Sequence, residues 1–198
     1  MKKDKLNVSD LISIGVYTAI YFILVAIATF ASALLPGFSN AFLPALAALI
    51  SGAVYMLMVS KVQKFGAISI MGIVMGIFFF VSGHFILSFA ANIICGILAD
   101  YVASIGKYKF KKWILISYVI FSYGITGPIL PLWFMKDSYV ASLEARGKSV
   151  EYISKVFNFI NTGSFFLCMV SILICALVGG IFGMKMVKKH FVKAGIVE

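Results

Sequence analysis

Charge is scarce in this sequence. Only 12% of its 198 residues are Asp, Glu, Lys or Arg, while 62% are hydrophobic. A soluble domain of this size is not so apolar, so the composition points to a polytopic membrane protein. Histidine is also nearly absent. His84 and His190 are the only two, and no HExxH occurs, which leaves no framework for a zinc site. There is no GxSxG elbow, so a Ser/His/Asp triad has no place to sit. There is no GxxxxGK[ST] loop either, which excludes ATP hydrolysis by that route. The expectation is a protein that is no enzyme and carries no cofactor or metal. Cys95, Cys168 and Cys175 all lie in apolar runs without a CxxC neighbour, and read as small buried hydrophobes.

What is present is long apolar runs. Six can be drawn: Leu11 to Leu35, ending at Pro36-Gly37; Phe42 to Ser60; Phe65 to Val81; Ser82 to Ile105; Trp113 to Trp133; and Thr162 to Val187. Each is near the roughly 20 residues that a hydrocarbon core of about 30 Å requires. The run after the basic MKKDKLNVSD segment is too long for a signal-peptide core and reads as a retained first span. The fold class expected is an all-α membrane protein, one domain over 1–198. It has six transmembrane helices and an amphipathic helical outer loop between the fifth and sixth.

Lysine sets the orientation. With the N-terminus inside, 13 of the 17 basic residues fall in inner segments, and Lys136, Arg146, Lys148 and Lys155 fall outside. That asymmetry places both termini in the cytoplasm. It also explains the net charge of +10 without a nucleic acid, because the lysines cluster in short segments between apolar runs. The run GKYKFKK reads as a topology determinant and a contact for anionic membrane lipid.

The fourth run holds polar residues at membrane depth, where they are costly and often mark function. His84, Ser88 and Asn92 recur every four residues, so successive members fall roughly 40° apart on a helix. This face reads as one wall of an outward-facing site. Asp100 lies off that stripe, where it either pairs with a lysine of 107–112 or couples to protons.

The fifth run ends in GITGPILPLWF. Pro128 and Pro131 lack an N–H and disfavour helix in the residue before them, so the helix should bend or unwind there. Trp133 then reads as an interfacial anchor or as a stacking wall for a flat ligand. Segment 136–161 is polar, with Val150, Ile153, Val156, Phe157 and Ile160 at three-and-four spacing. That is the stripe of an amphipathic helix, either interfacial or a lid over an outer pocket. Small-residue pairs four apart occur at Gly15 and Ala19, Gly72 and Gly76, and Gly179 and Gly183. Such pairs let helices approach closely. Gly72 and Gly76 read as internal packing; Gly15 and Ala19 suit packing or a partner equally.

KKHFVKAGIV (188–197), GKYKFKKW (106–113) and GPILPLWFMKDSY (127–139) together resemble the Trep_Strep proteins, bacterial membrane proteins also described as MptD-family substrate-binding (S) components of energy-coupling factor (ECF) transporters. The resemblance implies a six-helix protein that captures a micronutrient from outside. It would work with a transmembrane T subunit and two cytoplasmic ATPase subunits. It also implies that a small-xxx-small pair on the first helix docks the T subunit, here Gly15 and Ala19. Pockets in that class use the outer halves of later helices and the outer loops. Here those regions hold His84, Asn92, Tyr123, Trp133, Tyr139, Asn158 and Asn161, named as substrate-binding candidates on physical grounds alone. Two rivals stand beside this reading: a stand-alone secondary carrier or channel with Asp100 as its coupling acid, and an assembly protein without a ligand.

Overall fold

An apolar run in lipid must satisfy its backbone groups within itself, which makes it a helix. The computed structural model describes residues 5–33 and 39–192. The expected end of the first run at Pro36-Gly37, Lys2, Lys3 and the last residues of the C-terminal motif lie outside the described residues. Among the described residues every regular element is helical. The long ones are α1 (Val8–Ala33), α2 (Ser39–Lys61), α3 (Ala67–Val81), α4 (Ile86–Ile105), α5 (Lys111–Tyr123) and α9 (Thr162–Met186). Between α5 and α9 come a 3₁₀ turn (Gly124–Thr126), α6 (Pro131–Phe134), α7 (Lys136–Ala145) and α8 (Val150–Asn158). A π-helical turn, Val187–Val192, extends α9.

The six long helices close into a ring. Going round it, α1 packs on α2, α2 on α9, α9 on α5, α5 on α4, α4 on α3 and α3 on α1, while α2 and α5 also meet across the middle. Glycine sets two close seams between long helices. A Cβ on Gly183 would lie 2.6 Å from the Gly52 carbonyl oxygen, and one on Gly72 would lie 2.7 Å from that of Asn92. Backbone meets backbone at both seams, so the pairs Gly72–Gly76 and Gly179–Gly183 are internal packing. Gly15 differs: a Cβ there would touch nothing within 4 Å.

Hydroxyl groups cross the ring interior. Tyr118 donates to the Ala48 carbonyl. Tyr55 and Ser117 share a hydrogen bond of 2.6 Å, and Ser117 donates to the Ala99 carbonyl at 2.7 Å. These bonds satisfy buried polar groups while the rings and methionines around them fill the core. The Cys168 thiol is buried and donates to Ala41 O, and all three cysteines are free thiols.

The structure revises three expectations. The first concerns the bounds of two runs: among the described residues, four helices, in α1, α2, α4 and α9, are by themselves long and apolar enough to cross a bilayer. The third run gives a helix of 15 residues, and the fifth stops after 13 at Tyr123. The fifth fails for the reason its prolines announce. Beyond that, Gly127 presses so close to α4 that a Cβ would sit 2.4 Å from Ser88 Cα.

The fourth run begins as a turn rather than a helix. Gly83 takes φ 78°, and α4 starts only at Ile86, so His84 precedes the helix that carries Ser88 and Asn92. Finally, segment 136–161 is two helices joined at Gly147, φ 71°. On α8, Ile153 is buried and Val156 and Phe157, with Ile160 just beyond the helix, pack against the cluster that contains Ile129, Leu132 and Ile172, but Val150 is exposed.

Candidate functional site

The ring has two chemically different ends. One carries the turns α2–α3 and α4–α5 and most of the lysines; the other carries the α3–α4 turn and helices α6 to α8. At the second end a hollow of about 250 Å³ opens between α1, α2, the end of α3 and segment 125–129. Phe22, Phe30, Phe79 and Ile129 make its wall largely apolar, and Thr29, Ser82 and His84 supply the polar groups.

His84 is the distinctive member. Its backbone N–H donates to Phe79 O at 3.1 Å, and its ring stands edge-on to Phe79 at 5.3 Å. Those contacts fix the imidazole but leave its Nδ1 buried without a hydrogen-bond partner. Burial, and then the nearby Arg146 guanidinium, hold its pKa below the usual 6.5, so the ring is neutral at pH 7. A neutral imidazole with a free buried nitrogen is suited to one directional bond with a ligand.

Helices α7 and α8 fold back over this end. Arg146, just past α7, donates to Gly83 O at 3.0 Å. Tyr139 stacks on Phe85, with centroids 5.9 Å apart and planes 17° apart, and meets Phe157 edge-on. The α3–α4 turn that carries His84 is thereby clamped from above.

Trp133 and Asn161 belong to a second hollow at the same end, about 470 Å³, which they share with Phe134, Lys136 and Phe157. Trp133 Nε1 donates to Asn161 O at 3.0 Å, and Asn161 caps α9 by accepting from the Ser164 N–H. Their polar atoms therefore already serve the local fold, while the indole face borders the hollow. The remaining candidates line neither cavity. Asn92 is buried and donates to Ser88 O at 2.8 Å and to Gly124 O at 3.0 Å. It satisfies a carbonyl freed where α5 breaks, which pattern alone could not reveal. Tyr123 donates to Met169 O at 2.9 Å, and Asn158 is exposed at the end of α8.

Asp100 is paired with no lysine of 107–112. Its Oδ2 accepts from the Gly66 N–H, the Ser69 N–H and the Ser69 hydroxyl at 2.8–2.9 Å, and its Oδ1 from the Tyr108 hydroxyl at 2.7 Å. Gly66 is the N-cap residue of α3 and has no side chain to cap with, so a carboxylate on α4 caps that helix from outside.

Along the flank of the bundle, Gly15 and Ala19 are exposed on α1. They line an apolar groove of about 380 Å³ whose other wall is Ile70, Val74 and Phe78 of α3.

A ring of helices, four of them of bilayer length and all strongly apolar outside, defines a multi-pass integral membrane protein. The chain belongs to the Trep_Strep family of hypothetical bacterial integral membrane proteins, whose model matches residues 8–193. No curated protein and no solved structure matches it.

Proposed function

We propose that this protein is the substrate-capture (S) component of an ECF-type importer in the bacterial cytoplasmic membrane. It crosses the bilayer six times, α3 and the α5–α6 unit completing the count, with both termini and the lysine-rich end in the cytoplasm. The observation that carries the reading is the hollow beneath the α3–α4 turn, with the unpartnered Nδ1 of His84 in an otherwise aromatic and aliphatic wall. Its size and lining favour a small, flat, mostly apolar micronutrient with one hydrogen-bonding group.

In this reading His84 binds the substrate. Asn92, Tyr123 and Tyr139 hold the walls in place. Trp133 and Asn161 border the second hollow, where a longer substrate would extend past Asn158. Helices α7 and α8 act as the lid. The sequence has no phosphate loop, so energy comes from two ATPase subunits, coupled through a T subunit that docks in the α1 groove over Gly15 and Ala19.

Reconstitution tests this. Liposomes holding the chain alone should bind substrate without accumulating it, and adding the T and ATPase subunits with ATP should start uptake. Uptake by the chain alone would favour a secondary carrier instead. Gly15→Leu should leave binding intact and weaken co-purification with the T subunit, because the added side chain projects into the groove; undiminished co-purification would remove the docking assignment.

A further inference from the structure

The lysine-rich end holds a hollow unrelated to the one above. It measures about 380 Å³ and lies between the end of α2, the α4–α5 loop, the start of α5 and the end of α9. Its floor is apolar, from Met56, Ile114 and Met184, and three ammonium groups, Lys109, Lys111 and Lys188, stand around it. Among the described residues no carboxylate lines it. The two carboxylates described at this end are engaged elsewhere, Asp10 with Lys64 at 2.7 Å and Asp100 with Gly66, Ser69 and Tyr108.

The fold builds this arrangement deliberately. Lys107 and Tyr108 both take positive φ, 49° and 55°, a conformation uncommon outside glycine. The turn sends the Tyr108 ring inward to Asp100 and sets Lys109 and Lys111 at the hollow.

One more feature selects the ligand. Leu177, Ile181 and Met184 fall within about 60° of one another on the α9 surface at 100° per residue, and Lys188 follows in the π-helical turn just beyond. Leu177 and Ile181 are exposed, Met184 is half-buried, and Lys188 is exposed at the foot of the stripe. An apolar track therefore runs along the bilayer-facing side of α9 and ends at a cationic pocket.

We infer that this hollow is a binding site for the phosphodiester headgroup of an anionic membrane phospholipid, with an acyl chain lying along the α9 track. The three lysines neutralise the headgroup, and the apolar floor accepts the glycerol and first methylenes. Cationic pockets between helix ends on the basic side of a bundle bind such headgroups. The inference is independent of the substrate reading, since it uses none of the same residues.

Native mass spectrometry of the purified full chain tests it, with phosphatidylglycerol, phosphatidylcholine and inorganic phosphate as probes. Phosphatidylglycerol should stay bound at a defined stoichiometry, phosphatidylcholine should not, and millimolar phosphate should fail to displace it. Lys109→Gln, Lys111→Gln and Lys188→Gln together should weaken phosphatidylglycerol binding at least tenfold. A control that removes three neighbouring charges, Lys112→Gln, Lys185→Gln and Lys189→Gln, should change it less than twofold. Equal losses in the two triple variants would mean diffuse surface attraction and overturn the site, as would unchanged binding in the first. Displacement by phosphate would replace the lipid with a soluble anion as ligand. If the first triple variant does not fold, Lys188→Gln against Lys188→Arg decides the matter: the charge-retaining variant should restore binding.

Discussion

Asp100 shows how a single side chain is reassigned by its surroundings. A carboxylate among apolar residues reads first as a coupling acid, but four donors from two separate segments converge on it here. Replacing it with alanine strands the Gly66 and Ser69 amides and the Tyr108 hydroxyl in a buried place. Asp100→Ala should therefore cost on the order of 3 kcal/mol, seen as a lower unfolding temperature in detergent. Asp100→Asn keeps a carbonyl oxygen for α3 and should cost less. A variant that unfolds like the wild type but loses gradient-driven flux would restore the carrier reading. His84 was legible in the sequence as an expensive polar residue in an apolar run. Asn92 was legible in the same way, yet its amide closes a helix break. The two differ in whether a neighbouring carbonyl is within reach, a three-dimensional fact.

At the scale of elements, glycine explains which helices touch. Gly72 and Gly183 sit where two backbones meet, and Gly15 faces open space. Gly72→Ala and Gly183→Ala should each destabilise by about 1–3 kcal/mol, because the obstacle a new Cβ meets is backbone and cannot rotate away. Gly15→Ala should be neutral or stabilising by up to about 1 kcal/mol, the helix-propensity difference. Thermal unfolding of the three variants side by side checks this; a loss at Gly15 equal to the others would mean that its face is internal. The spacing of small residues was readable from the chain for all three pairs. It could not say which pair is buried, because four-residue spacing marks a face and not what lies against it. The fifth run teaches the same lesson about length. Its prolines announced a break, but that α5 would stop at Tyr123 follows from how closely Gly127 rests on Ser88.

For the whole molecule, the proposed orientation rests on charge asymmetry. The proposed topology predicts that a thiol at Lys148→Cys reacts with a membrane-impermeant maleimide on intact cells, while one at Lys112→Cys reacts only after permeabilisation. Wild-type protein, whose three thiols lie within apolar runs, gives the background. The reverse pattern would invert the molecule and put the His84 hollow on the cytoplasmic side.

Composition and the periodicity of apolar runs by themselves determined that this chain is helical and membrane-embedded, because lipid admits few other ways to satisfy a backbone. The uneven lysine distribution likewise marked its basic end. Only the tertiary structure decided that six helices close in the order α1, α2, α9, α5, α4, α3. It alone separated His84 from Trp133 into different hollows and turned Asp100 into a cap for another helix. Those outcomes depend on contacts between segments far apart in the chain, and local spacing carries no record of which distant backbone comes to lie alongside.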